Sequence, residues 1–138
     1  MNSGSSRRLL LLWAPPVLWM AAIFTFSSLT GPELAPVSSF STLGHFGEYA
    51  ILGVLLFLAA RATWDSPSLA AVLAAIVSSA YGVTDELHQF LVPGRTPDPA
   101  DWLTDTAGAL VAIGCVLVIE RLATARKDSR DAPDRPIP

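Results

Sequence analysis

The sequence predicts an all-α integral membrane protein: a four-helix transmembrane bundle with both termini on the cytoplasmic side (N-in/C-in). Three observations carry that expectation. Only 15% of the 138 residues are charged and 51% are hydrophobic, whereas an average soluble domain is about 25% charged. The apolar residues gather into four stretches, each close to the ~20 residues that a helix needs to cross a hydrocarbon core of ~30 Å. With the N-terminus inside, Arg7, Arg8, Arg61, Arg121, Arg126, Lys127, Arg130 and Arg135 fall on the cytoplasmic side and Arg95 alone falls outside, as the positive-inside rule requires.

The first span runs from about Leu9 to Ser28. Its apolar run is too long for the core of a cleaved signal and no small-x-small cleavage site follows it, so it is read as a retained helix. Pro15-Pro16 inside it predicts a kink, which a membrane helix tolerates when neighbours satisfy the freed carbonyls. The second span runs from about Thr42 to Ala62. The third, from Pro67 to Leu91, begins with Ser66-Pro67, and the fourth, from Pro99 to Leu122, begins with Asp98-Pro99. Each pair places a capping side chain just before a proline at the first helical position. Pro93-Gly94 marks the turn between the last two spans. The domain division is therefore a cytoplasmic N-terminus over 1–8, the membrane domain over 9–122 and a charged, proline-rich cytoplasmic tail over 123–138, expected to be disordered. A single cysteine excludes an internal disulfide framework and a Cys-rich zinc site. The net charge of −3 and the few basic residues speak against a nucleic-acid partner. Trp13, Trp19, Trp64 and Trp102 lie at or near span ends and are expected to be interfacial anchors.

The polar residues inside the spans share one end. His45 and Glu48 lie in the first turns of the second span. Asp85, Glu86, His88 and Gln89 lie in the last turns of the third, and Asp101 and Asp105 in the first turns of the fourth. In the N-in arrangement all lie within ~10 Å of the extracytoplasmic boundary at 1.5 Å per residue. Residues three or four apart share a helix face. Three stripes follow: His45-Glu48-Leu52-Leu55, Ala74-Ser78-Tyr81-Asp85 continued by His88 and Gln89, and Asp101-Asp105-Gly108-Ala112-Cys115. The small residues beneath the acids suit helix–helix contact in a membrane. These contacts turn the acids into one shared pocket that opens outside, and ionisable residues in a span are functional candidates by default. Arg95, in the loop beside them, is expected either to pair with an acid or to bind an anion from outside.

Asp85-Glu86-x-x-Gln89, then Pro93-Gly94-Arg95, then Asp101-x-x-x-Asp105-x-x-Gly108 resembles the signature of the VanZ-like family. Phe26-Ser27-Ser28, His45-Phe46-x-x-Tyr49 and Gly53 also resemble it, and the resemblance covers about Leu9 to Glu120. Two positions depart from it. Asp105 stands where family members often carry Asn, and Leu43-Gly44 stands where they often carry Asp-Lys. The resemblance implies a multi-pass protein of the bacterial cytoplasmic (inner) membrane, within the cell envelope, in a family whose founding member is linked to low-level resistance to the glycopeptide teicoplanin.

Several functions fit these residues. A purely structural cluster would gain only about 0.6 kcal/mol for each interhelical hydrogen bond. The repulsion among Glu48, Asp85, Asp101 and Asp105 must be relieved by protonation, a metal or a bound cationic group. His45-x-x-Glu48 and Asp85-x-x-His88 each offer two ligands from one helix face, so a divalent metal on His45, Glu48, Asp85 and His88 is one expectation. A carboxyl beside His88 or His45 could also move protons in an enzyme. Cys115 is expected to be a packing residue far from the pocket. A transport path is disfavoured because the polar groups stop near one side. The leading expectation is an envelope protein that binds a lipid-linked component or influences glycopeptide sensitivity. Its partners would be membrane lipids, a lipid-linked cell-wall precursor or a glycopeptide, with a homo-oligomer left open. The alternative is a membrane enzyme, metal-dependent or not, that modifies a lipid or cell-wall precursor at the outer face.

Overall fold

The computed structural model describes residues 3–29 and 38–131, and all of its regular structure is helical. Four helices follow in order: α1 (Ser3–Ser28), α2 (Ser38–Thr63), α3 (Pro67–Leu91) and α4 (Pro99–Asp131). Within them Ser6–Ser28, Thr42–Thr63, Pro67–Leu91 and Pro99–Arg130 are each long and apolar enough to cross a membrane. Helix α1 runs through both prolines, with Pro16 fully buried.

The starts and stops follow local chemistry. Ser66 has an extended backbone and its hydroxyl accepts from the Leu69 amide at 3.3 Å, just ahead of Pro67. Asp98 does the same for α4, accepting from the Ala100 amide at 2.9 Å. Between α3 and α4, the Arg95 amide donates to the Val92 carbonyl at 3.1 Å. Pro93 and Gly94 occupy the two central positions and Gly94 has φ +85°, the residue pattern of a type II turn.

Helix α4 extends past the expected end of its span. Residues 123–131 are helical rather than disordered, while 132–138 lie outside the described residues. The physical reason is composition: the stretch is Ala-, Arg- and Lys-rich, and these are strong helix formers. Thr124 and Ser129 return their hydroxyls to the carbonyls of Glu120 and Ala125.

Helix α2 is the centre of the bundle. It packs on α4, α3 and α1, whereas α1 and α4 do not meet among the described residues. The core holds Ile23, Tyr49, Leu52, Leu56, Phe57, Ala60, Ala70, Ala74 and Ile113. Large apolar side chains such as Leu18, Ile76, Leu87, Phe90, Val118 and Ile119 point outward, as expected where the surroundings are lipid. Lipid is as apolar as leucine, so close packing rather than hydrophobic burial holds such helices together. The α2–α4 seam shows it. A Cβ on Gly53 would lie 2.9 Å from the Ala109 Cα, and one on Gly108 would collide with the Phe46 carbonyl.

The buried stripe of α4 departs from the expected one at its lower end. Asp105, Gly108, Ala109 and Ile113 are buried, but Cys115 is exposed. At about 100° per residue Cys115 lies roughly 120° round the helix from Ala109, near the middle of the seam, so it leaves the seam and is not a packing residue. The tryptophans also make specific contacts. Trp19 donates to the Glu48 carbonyl at 2.9 Å and Trp102 to the Ser79 carbonyl at 3.2 Å. Trp13 donates to Thr63 and meets Trp64 edge-on at 6.0 Å. Three of the four thus tie neighbouring helices together through the indole N–H.

Candidate functional site

Helices α2, α3 and α4 bring three buried side chains together at one end of the bundle. His45, Asp85 and Asp105 each present a ligand-type atom, and these atoms all lie within 4.8 Å of one another. His45 Nδ1 is 3.0 Å from Asp105 Oδ1. Its other ring nitrogen, Nε2, is 3.9 Å from Asp101 Oδ2, at the partly open rim. Asp105 is fully buried, yet its Oδ2 has no hydrogen-bond partner among the described residues. Gly82 on α3 makes room for it: a Cβ there would lie 3.3 Å from that oxygen.

Asp85 is held from two directions. Ser27 donates to its Oδ1 at 2.6 Å and the Gln89 amide donates to its Oδ2 at 3.1 Å. Charge-assisted bonds of this kind are short and orient the carboxylate. Ser27 comes from α1, so all four helices contribute to the cluster. The stripes on α2, α3 and α4 point to three of them; the signal for the fourth is Ser27-Ser28 at the end of α1, at the same depth as the acids. Tyr49 lies one turn below His45, its ring 6.2 Å from that of Tyr81. Tyr49 and Ser78 are fully buried and, among the described residues, leave their hydroxyls unpartnered. Tyr81 donates to the Met20 carbonyl at 2.6 Å, a second tie to α1.

The other candidate residues go elsewhere. His88 turns toward α1, with Nε2 2.9 Å from the Ser28 hydroxyl and its ring stacked on Phe24 at 4.0 Å. Glu48 is half-buried and outside the trio, its backbone carbonyl accepting from Trp19. The set that converges is therefore His45, Asp85 and Asp105, not His45, Glu48, Asp85 and His88. The reason is that i,i+3 spacing puts two residues on one face but does not say which neighbouring helix that face meets. Glu86 accepts from the Asp98 amide at 2.8 Å and braces the α3–α4 loop. Among the described residues Arg95 pairs with no acid: it donates to the Phe26 and Leu29 carbonyls, both at 3.3 Å, at the C-terminal end of α1. Terminal carbonyls of a helix lack intrahelical donors and carry its negative pole, so they suit a guanidinium.

A groove of about 280 Å³ lies beside the cluster on the outer face of α3 and α4, lined by Val83, Glu86, Leu87, Phe90, Pro97, Pro99 and Trp102. The wall between groove and cluster is thin. A Cβ on Gly82 would lie 3.1 Å from the Trp102 ring and 3.3 Å from Asp105 Oδ2.

No curated protein and no solved structure matches the chain. The VanZ/LLP1 family does, over residues 12–120. That interval runs from α1 into α4 and contains His45, Asp85, Asp105, Ser27 and Gln89, together with the glycine seam. The chain belongs to the VanZ-like family of membrane proteins.

Proposed function

We propose that the protein binds a lipid-linked component of the bacterial envelope at the polar end of its bundle, and through it alters sensitivity to teicoplanin-type glycopeptides. The charge bias of the ends supports placing the polar end outside and both termini in the cytoplasm. The observation that carries the reading is the groove of Val83, Leu87, Phe90, Pro97, Pro99 and Trp102. It is apolar, it opens on the face where Leu87 and Phe90 are exposed, and it ends beside a polar cluster. A prenyl or acyl chain laid there would bring its headgroup to the level of Asp101 and Glu86. Ligand sites commonly combine an apolar cleft with a few placed polar groups.

The test uses a photoactivatable polyprenyl phosphate in phosphatidylethanolamine–phosphatidylglycerol vesicles carrying the protein. Crosslinks should concentrate between residues 83 and 102 and fall when Val83→Trp fills the groove. Cells carrying Val83→Trp should lose any shift in teicoplanin sensitivity that the wild type confers. Labelling spread evenly over lipid-facing positions such as Val118 sinks the proposal.

The buried His45–Asp105 contact favours a second reading, a membrane enzyme acting on the same class of lipid, because such a pair can hold and pass a proton. Conversion of the probe lipid to a product of different mass by purified protein distinguishes it from binding alone.

A further inference from the structure

We propose that His45, Asp85 and Asp105 form a binding site for one divalent transition-metal ion. The inference goes beyond lipid binding and does not depend on it.

The first argument is charge. Two aspartates and an imidazole lie buried with their ligand atoms mutually within 4.8 Å. Carboxylates in a dry interior need a counter-charge, a proton or a metal. The nearby guanidinium is spent elsewhere, on the carbonyls of α1. Arg61 pairs with Asp65 at the opposite end of α2. Among the described residues no Lys or Arg side chain pairs with Asp85 or Asp105. A divalent cation balances two carboxylates beside a neutral imidazole.

The second argument is an open valence. Asp105 is wholly buried, and its Oδ2 faces α3, the helix that carries Asp85, without a partner among the described residues. A buried acceptor left unpaired is rare enough to require an explanation, and an ion supplies one.

The third is geometry and support. Two atoms bound to one ion at about 2.1 Å lie roughly 3.0 Å apart at right angles and roughly 3.4 Å apart at the tetrahedral angle. The Nδ1–Oδ1 separation of His45 and Asp105 is 3.0 Å. Ligating carboxylates and histidines are normally held by outer hydrogen bonds and acids. Asp85 has Ser27 and Gln89, and Asp101 sits 3.9 Å behind the far ring nitrogen of His45. One imidazole and two carboxylates with coordination positions to spare suit Zn²⁺, Mn²⁺ or Fe²⁺. The unpartnered Tyr49 and Ser78 hydroxyls, one and two turns deeper than His45 and Asp85, are polar groups available to bound water.

The experiment takes the full chain in detergent, strips it with EDTA and titrates it with Zn²⁺ and, separately, Mn²⁺. After gel filtration, the metal is counted per chain. The wild type should retain about one ion and melt at a higher temperature with metal than without. The isosteric double variant Asp85→Asn with Asp105→Asn should keep the same elution volume, lose the ion and show no metal-dependent shift. Glu120→Gln, toward the opposite end of α4, should bind as the wild type does. A wild-type readout needs no variant: Mn²⁺ in the site should show the nitrogen coupling of one imidazole in pulsed electron paramagnetic resonance. Retention of no ion by the wild type, equal retention by the double variant, or a Mn²⁺ spectrum without nitrogen coupling overturns the proposal. None of these results bears on whether the groove takes a lipid.

Discussion

His45 and Asp105, sixty residues apart in the chain, meet at 3.0 Å inside the bundle and join α2 to α4 at its polar end. On α4 the contact lies one turn from Gly108, which faces the Phe46 backbone without room for a side chain. A double-mutant cycle with His45→Ala and Asp105→Ala should return a coupling of about 0.6 kcal/mol and no more than about 1.7 kcal/mol, the average and the maximum for polar pairs between membrane helices. Unfolding in mixed micelles measures it. Strictly additive effects would mean that the contact contributes nothing.

Ser27→Ala removes the 2.6 Å donor from the buried carboxylate of Asp85. A buried acceptor deprived of its partner costs about 1–3 kcal/mol. Because the bond is one of few ties between α1 and α3, the loss should appear as faster proteolysis near the end of α1 as well as a lower melting temperature. Ser27→Thr keeps the hydroxyl and should restore most of the loss.

The glycines should separate into two classes. Gly53→Ala and Gly108→Ala each drive a methyl into the backbone of the facing helix and should destabilise by roughly 1–3 kcal/mol. Gly44 and Gly47 have open space around the same position. Alanine there should be neutral or stabilising by up to about 1 kcal/mol, through helix propensity alone. Thermal melts followed by circular dichroism compare the four.

Arg95→Ala should free the last turn of α1, since its guanidinium is bound to the Phe26 and Leu29 carbonyls. Amide exchange over residues 24–29 should rise while that of α2 and α4 stays unchanged. An arginine paired with the acids instead would loosen the α3–α4 end and leave α1 as it was.

The direction of the bundle is testable in whole cells. In a Cys115→Ala background, Thr96→Cys in the α3–α4 loop should react with a membrane-impermeant maleimide from outside. Ser129→Cys near the end of α4 should react only after lysis. The reverse pattern would refute the N-in/C-in arrangement that the basic residues imply.

Much of the architecture was legible in the residues alone, because the signals are local. Hydropathy marks four spans, Ser66-Pro67 and Asp98-Pro99 mark two helix starts, and Pro93-Gly94 marks the turn between α3 and α4. Within one helix, a rotation of about 100° per residue placed Ala74, Ser78, Asp85 and Gln89 on a single buried face. The same arithmetic carries no information about the rotation of one helix against another or about which helices are neighbours. Those are decided by packing, here by the close approach of Gly53 to Ala109 and of Gly108 to Phe46. Tertiary structure alone therefore settled that Asp105 rather than Glu48 or His88 joins His45 and Asp85. It also settled that Ser27 reaches in from α1, that Arg95 serves a helix end, and that Cys115 faces outward.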